Sequence, residues 1–119
     1  MKVTLYKLEI FVPESHFDGV CQALWSLDAG HIGGYDRCLS WSRVHSCWRP
    51  LEGADPYEGT VGELCRAEEI KLEACCRAEA LEATLLAVRA AHPYEEPVVN
   101  ILPMEYFRAA MGGAAEFKT

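Results

Sequence analysis

Long apolar runs are missing from this chain: none approaches the ~20 residues that a membrane-crossing helix requires. The N-terminus, Met1-Lys2-Val3-Thr4-Leu5-Tyr6-Lys7-Leu8-Glu9, does not read as a secretory signal, because charges interrupt any apolar stretch and no small-residue cleavage site follows. A cytoplasmic protein is expected. Positive charge is scarce, with 11 Lys+Arg against 18 Asp+Glu and a net charge of -7. Phosphate contacts need a clustered positive field, so neither nucleic acid nor an anionic membrane is an expected partner. No Cys-x-x-Cys pair occurs among the six cysteines, which removes the commonest zinc-ligand spacing.

What remains is the composition of an ordinary globule, 50% hydrophobic and 24% charged, and 119 residues suit one domain rather than two. A chain of this size buries roughly two-thirds of the surface its unfolded form exposes, so disulfide staples are not needed. In a reducing compartment the cysteines are expected as free thiols, small core residues or incidental surface groups. Adjacent Cys75 and Cys76 would point to opposite faces of a strand, a poor start for a disulfide framework.

Tyr6, Leu8, Ile10 and Val12 alternate with Lys7 and Glu9, the pattern of a half-buried first strand that Pro13 stops. From Glu14 the period becomes helical: Phe17, Val20, Cys21, Leu24 and Trp25 share one face, and Gly30 and Gly33-Gly34 supply the exit turn. Tyr35 to about Trp48 reads as a second strand with Leu39, Trp41 and Val44 as buried candidates, though Ser40, Ser42 and Ser46 point to a bulge or an edge position. A Pro-, Gly- and acid-dense loop follows, Arg49 to Gly59. Leu64, Ile70, Leu72 and Ala74 mark a third strand, and Arg77 to Ala91, with Leu81, Leu85 and Val88 on one face, a second helix. His92-Pro93 ends that helix, because the residue before proline is pushed out of the helical region. Val98, Val99, Ile101 and Leu102 form the last strand. The domain is expected over residues 1–105 and a tail over 106–119, in which Ala109 to Thr119 frays or docks as a short helix.

The order β-α-β-β-α-β is that of an α+β, ferredoxin-like domain: a four-stranded antiparallel sheet with two helices on one face. An internal echo supports it, since Lys7-Leu8-Glu9 recurs as Lys71-Leu72-Glu73 and an amphipathic helix follows each. The other face is then open to a ligand, a nucleic acid or another subunit. RNA-recognition domains place stacking aromatics on the third strand, whereas Arg66-Ala67-Glu68-Glu69-Ile70-Lys71-Leu72-Glu73 is acidic and has none. Self-association is the better expectation, because three such sheets can pack about a threefold axis and protect their edges.

The most distinctive segment is Ala91-His92-Pro93-Tyr94-Glu95-Glu96-Pro97. Together with Phe11-Val12-Pro13-Glu14, the run Gly30 to Cys38, Arg49 to Pro56, and Gly59-Thr60-Val61-Gly62, it resembles the CutA-like and PII-like domain inserted in YqfO-type dinuclear-metal proteins, and the small free-standing relatives of that insert. The resemblance spans roughly residues 3 to 105. It implies a CutA/PII-like trimer linked to divalent-metal tolerance or sensing. The metal-binding core that flanks the insert in the long proteins has no counterpart here, so their hydrolase activity is not carried over and the chain is not expected to be an enzyme.

His92 sits at a helix end, where an imidazolium suits the negative dipole terminus, and Glu95 and Glu96 follow closely enough for one carboxylate to share a small cation with it. The alternative, which we prefer, is a rigid Pro-flanked turn that sets the register of the last strand. His31 occupies the equivalent junction of the first half, so both histidines are expected to approach one rim of the sheet. A metal site there, built across subunits, has His31 and His92 as ligands, Glu96 balancing charge and Tyr35 donating in support, with Tyr94, Glu95 and Arg49 as supporting or interface residues. Weaker candidates are Cys38, His45 and Cys47, whose thiolates and imidazole suit zinc or copper. The loop from Arg49 is either a ligand loop, as in PII-like signalling proteins, or an inter-subunit clamp with Gly53 and Gly59 permitting tight turns. Lacking a glycine run leading into a lysine, it reads better as the clamp. Neither Ser15-His16 nor His45-Ser46 shows the third group of a nucleophilic triad. The expected function is therefore a non-catalytic oligomeric module that binds or senses a divalent or soft metal. Its alternatives are a ligand-free oligomerisation protein with an unidentified partner, or a metal-dependent hydrolase.

Overall fold

The computed structural model describes residues 2–107 and, in backbone only, Phe117 and Lys118. Alternation in the first segment yields strand β1 (Leu5–Val12), with Leu8, Ile10 and Val12 fully buried. Pro13 leads through a 3-10 turn into helix α1 (Phe17–Ser26), whose Val20, Cys21 and Leu24 form the buried stripe. Strands β2 (Ser40–Trp48) and β3 (Cys65–Arg77), helix α2 (Leu81–Ala91) and strand β4 (Val99–Pro103) complete the ferredoxin-like order. The sheet runs β2-β3-β1-β4 and is antiparallel throughout. Its core joins Leu8, Ile10 and Val12 to Ile70 and Leu72 of β3 and Val88 of α2. Each such aliphatic side chain contributes about 1.5–3 kcal/mol on burial.

The repeated Lys-Leu-Glu triplets meet on the open face. Glu9 lies directly opposite Glu73, a like-charge pairing that would destabilise the ladder if left alone. Lys7 compensates by pairing with Glu73, and Lys71 pairs with Glu9 at 3.5 Å. Asn100 of β4 adds a hydrogen bond to Glu9. The middle of the open face is thus finished with its own paired charges.

Several boundaries move for physical reasons. Helix α2 begins at Leu81 rather than Arg77, because β3 stays paired with β1 as far as Leu5 opposite Arg77, and ladder pairing outweighs local helix propensity. The second strand begins at Ser40 rather than Tyr35, since Ile32 and Tyr35 close a turn on each other and Arg37 takes a positive φ of 57°. The strand does sit at the sheet edge. Its upper half and the start of β3 run past the end of β1 as a two-stranded arm, because β1 pairs only with Ile70 to Arg77 whereas β2 pairs with Cys65 to Glu73. Trp41 lies outside that arm, opposite Leu72, and on the edge strand it is 59% exposed rather than buried, resting against Phe17 at a ring separation of 5.2 Å. Val44 is only half-buried and Leu64 lies outside the core, 53% exposed.

All six cysteines are free; Cys21 and Cys76 are buried, while Cys75 lies on the opposite face from Cys76. The short strands β5 (Tyr106–Phe107) and β6 (Phe117–Lys118) pair with each other, and the expected tail between them lies outside the described residues. Among the described residues no helix is long and apolar enough to cross a membrane.

Candidate functional site

The two histidine junctions lie at opposite ends of β1. Gly30, beside His31, donates its N–H to the Cys75 carbonyl at 2.9 Å, and Cys75 pairs with Lys7 near the start of β1. His92 instead donates Nε2–H to the Phe11 carbonyl at 2.6 Å, near its end. Helix α1 follows β1 and α2 follows the antiparallel β3, so the two helix C-termini point to opposite ends. The expectation of one rim shared within the chain is corrected on this ground. Uniting His31 and Tyr35 with His92 and Glu96, as the expectation of a site built across subunits has it, requires two copies.

The two rings also differ in state. His92 is buried, and its Nδ1 accepts the Tyr94 N–H at 3.2 Å, which fixes the neutral Nε2–H form. Desolvation holds its pKa below the ordinary histidine value, so burial overrides the helix-end attraction for an imidazolium. His31 is exposed, with Asp28 carboxylate oxygens 3.1 and 3.0 Å from Nδ1 and the Gly33 carbonyl 3.1 Å from Nε2. The Asp28 hydrogen bond, with that carboxylate's charge, raises its pKa. With an acceptor at each nitrogen of His31 and backbone at each nitrogen of His92, neither ring turns a free lone pair outward. Cys38 sits at the His31 end, its N–H bonded to Gly30 O at 2.9 Å. His45 and Cys47 are on the arm, on one face, opposite Glu68 and Arg66. Among the described residues no three His, Cys, Asp or Glu side chains are grouped to hold a metal ion.

The His92 end instead builds a cavity of about 580 Å³ on the open-face side, where the arm leaves the sheet. Its floor is Phe11 and Glu69; Trp48, Tyr94 and Val98 form walls, and the loop of residues 49–64 is the roof. The roof is tied down at three points. Glu95 accepts the Asp55 N–H at 3.2 and 3.0 Å, Trp48 Nε1–H donates to the Glu58 carbonyl at 3.1 Å, and Tyr57 packs on Tyr94 at 5.8 Å. Gly59 makes the return possible with a φ of +105°, its backbone passing close to Cys65 and Pro50. The loop therefore folds back on its own chain. Arg49, expected to clamp a carboxylate, lines the cavity without an ion pair among the described residues.

At the centre lies Glu69, only 6% exposed, whose Oε2 accepts the Tyr94 hydroxyl at 2.8 Å. Burial, with this bond and the Glu69 charge, pushes the Tyr94 phenol well above the ordinary tyrosine range. Phe11, Trp48, Tyr57 and Glu69 were not among the expected site residues. One signal for Glu69 was present: in adjacent Glu68-Glu69 on a strand, the two carboxylates must face opposite sides, so one is turned toward whatever covers the sheet. Ser15 Oγ does lie 2.8 Å from His16 Nδ1, yet no carboxylate bonds the other ring nitrogen among the described residues, so the pair lacks the group that orients a catalytic base.

No family model matches the chain. It is similar to the protein named GTP cyclohydrolase 1 type 2 homolog in Bacillus subtilis, 38% identical over 108 residues, which are 91% of this chain and 29% of that protein. The homolog of the same name in Halalkalibacterium halodurans is 39% identical over 101 residues, 85% of this chain and 27% of that one. The chain thus spans less than a third of the curated relatives it matches. Among solved structures, a Bacillus cereus protein related to NIF3 superposes with a TM-score of 0.75 at 33% identity, over 86% of this chain and 26% of that one. CutA from Archaeoglobus fulgidus gives a TM-score of 0.65 at 18% identity, over 88% of each chain, a likeness of fold alone. Arabidopsis thaliana PII gives 0.60 at 18% identity over 93% of this chain and 85% of that one, again in fold. The chain is a relative of the CutA/PII-like domain found within YqfO-type proteins.

Proposed function

We propose that this chain is a non-catalytic, CutA/PII-like binding module of the cytoplasm, assembled as a homotrimer, with its ligand site in the cavity under the β2–β3 loop. The observation that carries the reading is that cavity: about 580 Å³, within the range of small-molecule sites, with aromatic walls, a few convergent polar groups and a roof held by Glu95. Assembly is supported by the fold and by β4, an edge strand whose Ile101 and Leu102 are 42% and 41% exposed. A second reading takes zinc or copper as the ligand. It is favoured by His45, Cys47 and Glu68 on one exposed face of the arm, a set that another copy would have to complete.

Native mass spectrometry of the untagged chain, beside an Ala54→Trp variant that fills the cavity from its roof, tests the proposal. The expected result is a trimer for both proteins and a bound small-molecule mass on the wild type alone. A monomer overturns the assembly. A trimer that carries only metal, equally in both proteins, overturns the cavity in favour of the arm.

A further inference from the structure

The charges around the cavity are unbalanced. Glu58, Glu69, Glu95 and Glu96 line it against one guanidinium, that of Arg49. None of these five groups has an opposite charge within 4.0 Å among the described residues. Glu95 and Glu96 are exposed and can be satisfied by water. Glu69 is the enclosed one: it is 6% exposed on the cavity floor, its Oε2 accepts the Tyr94 hydroxyl, and its Oε1 takes no protein donor and opens into the cavity. A largely enclosed carboxylate with no paired cation and one oxygen turned to the cavity is a ready partner for a cation that enters it.

The walls favour the same partner. Trp48 and Tyr94 stand with ring centroids 5.9 Å apart, and Tyr57 lies 5.8 Å from Tyr94 on the roof side. Three electron-rich rings lining the cavity beside an enclosed carboxylate suit a cation with an apolar body. A phosphate or carboxylate ligand would meet Glu69 and Glu58 with Arg49 as the single compensating charge. For a bare divalent ion, no three of the carboxylates are grouped to hold it among the described residues.

We infer that the cavity binds a small organic cation, a primary ammonium or guanidinium compound with an apolar or flat body, with Glu69 as its charge partner and Trp48, Tyr57 and Tyr94 as its walls. This rests on the reading of the cavity as the ligand site. Glu69 Oε1 accepts an N–H of the cation while Oε2 keeps the Tyr94 hydroxyl. Glu95 serves indirectly, by holding the roof through the Asp55 N–H, so the ligand enters past the loop and the exposed Glu96.

The test titrates the 119-residue chain with phenethylammonium chloride, its neutral isostere phenethyl alcohol, inorganic phosphate and zinc chloride, following the Trp48 indole N–H by NMR. Phenethylammonium should bind at least about tenfold more tightly than the alcohol, and Glu69→Gln should remove about that factor while the spectrum stays folded. If Glu69→Gln does not fold, the wild-type ratio of ammonium to alcohol still decides. Equal binding of the two, or preferential binding of phosphate, overturns the cation assignment and leaves the cavity a ligand site. No shift of Trp48 with any probe overturns both. Release of subunits by phenethylammonium would mean that a cationic side chain of a second copy is the natural occupant, and would overturn a free ligand.

Discussion

At one end of β1 a histidine is buried, neutral and bonded to backbone on both nitrogens; at the other a histidine is exposed and leans on a carboxylate. Each follows a helix, in matching places of the two βαβ halves. His92 also feels the negative field of Glu69, which favours its proton, yet desolvation is the larger influence and keeps it neutral. His31 has little desolvation to overcome, so Asp28 decides. Position in the repeat therefore does not assign the role. His92 is buried beneath the end of β1 that the loop covers, whereas the His31 end stays an exposed hydrogen-bonded turn.

The largest expected effect breaks the comparison from the exposed end. Gly30 has a φ of +84°, and an added Cβ would sit 2.5 Å from the Cys38 carbonyl oxygen, a backbone atom that cannot step aside. Gly30→Ala should cost about 3 kcal/mol or more of unfolding free energy, read from urea denaturation, despite the polar character of this end. A cost below about 1 kcal/mol would mean that the turn re-forms without the Gly30–Cys75 hydrogen bond. The next pair sharpens the contrast. His92→Ala leaves the Phe11 carbonyl and the Tyr94 N–H without their partner and should cost about 2–4 kcal/mol in the same assay. His31→Ala should barely move the urea midpoint, because its partners can turn to water. Equal costs for the two substitutions would show that burial is not what separates the ends.

A smaller effect isolates the cavity floor. Tyr94→Phe keeps the ring contacts with Trp48 and Tyr57 and removes only the hydroxyl that Glu69 accepts. It should cost about 1–2 kcal/mol, and Tyr94→Phe combined with Glu69→Gln should cost less than the sum of the two single changes. Strict additivity would mean the two groups are not coupled.

The strands, the helical stripes and the fold class are legible in the sequence because each is a local period: the alternation ending at Val12, the 3.6-residue spacing of Val20, Cys21 and Leu24, the proline after His92. The Lys-Leu-Glu echo is legible too, and the ladder explains it, since the two triplets neutralise each other across the Glu9–Glu73 pairing. What is not legible depends on register. The alternation of β2 says nothing of how far α1 reaches over the edge strand, so Trp41 reads as core. Likewise the segment Tyr94-Glu95-Glu96 and the loop from Arg49 stand out separately as motifs. Their meeting through Glu95 and the Asp55 N–H joins residues forty positions apart, which no local pattern encodes. The candidate site is half visible for the same reason: Phe11, Arg49, Tyr94, Glu95 and Glu96 fall in motifs, while Trp48 and Glu69 are brought in by strand pairing.

The subtlest expected effect is in titration, and it carries the contrast between the ends in its sign. The folded-state pKa of His92 lies below the ordinary value near 6.5, so its contribution to stability is present above that value and is lost as pH falls through the folded pKa. His31 has a raised pKa, so its contribution is present below the ordinary value and is lost as pH rises through the folded one. In a histidine ring-proton NMR titration the His31 signal should turn over on the alkaline side of about 6.5 and the His92 signal on the acid side. Asp28→Asn should bring His31 back toward the ordinary value and leave His92 unmoved, because the two rings sit at opposite ends of β1. If both signals titrate together, or if Asp28→Asn shifts His92, the two ends share an electrostatic environment, and the site uniting them must then be sought where two copies meet.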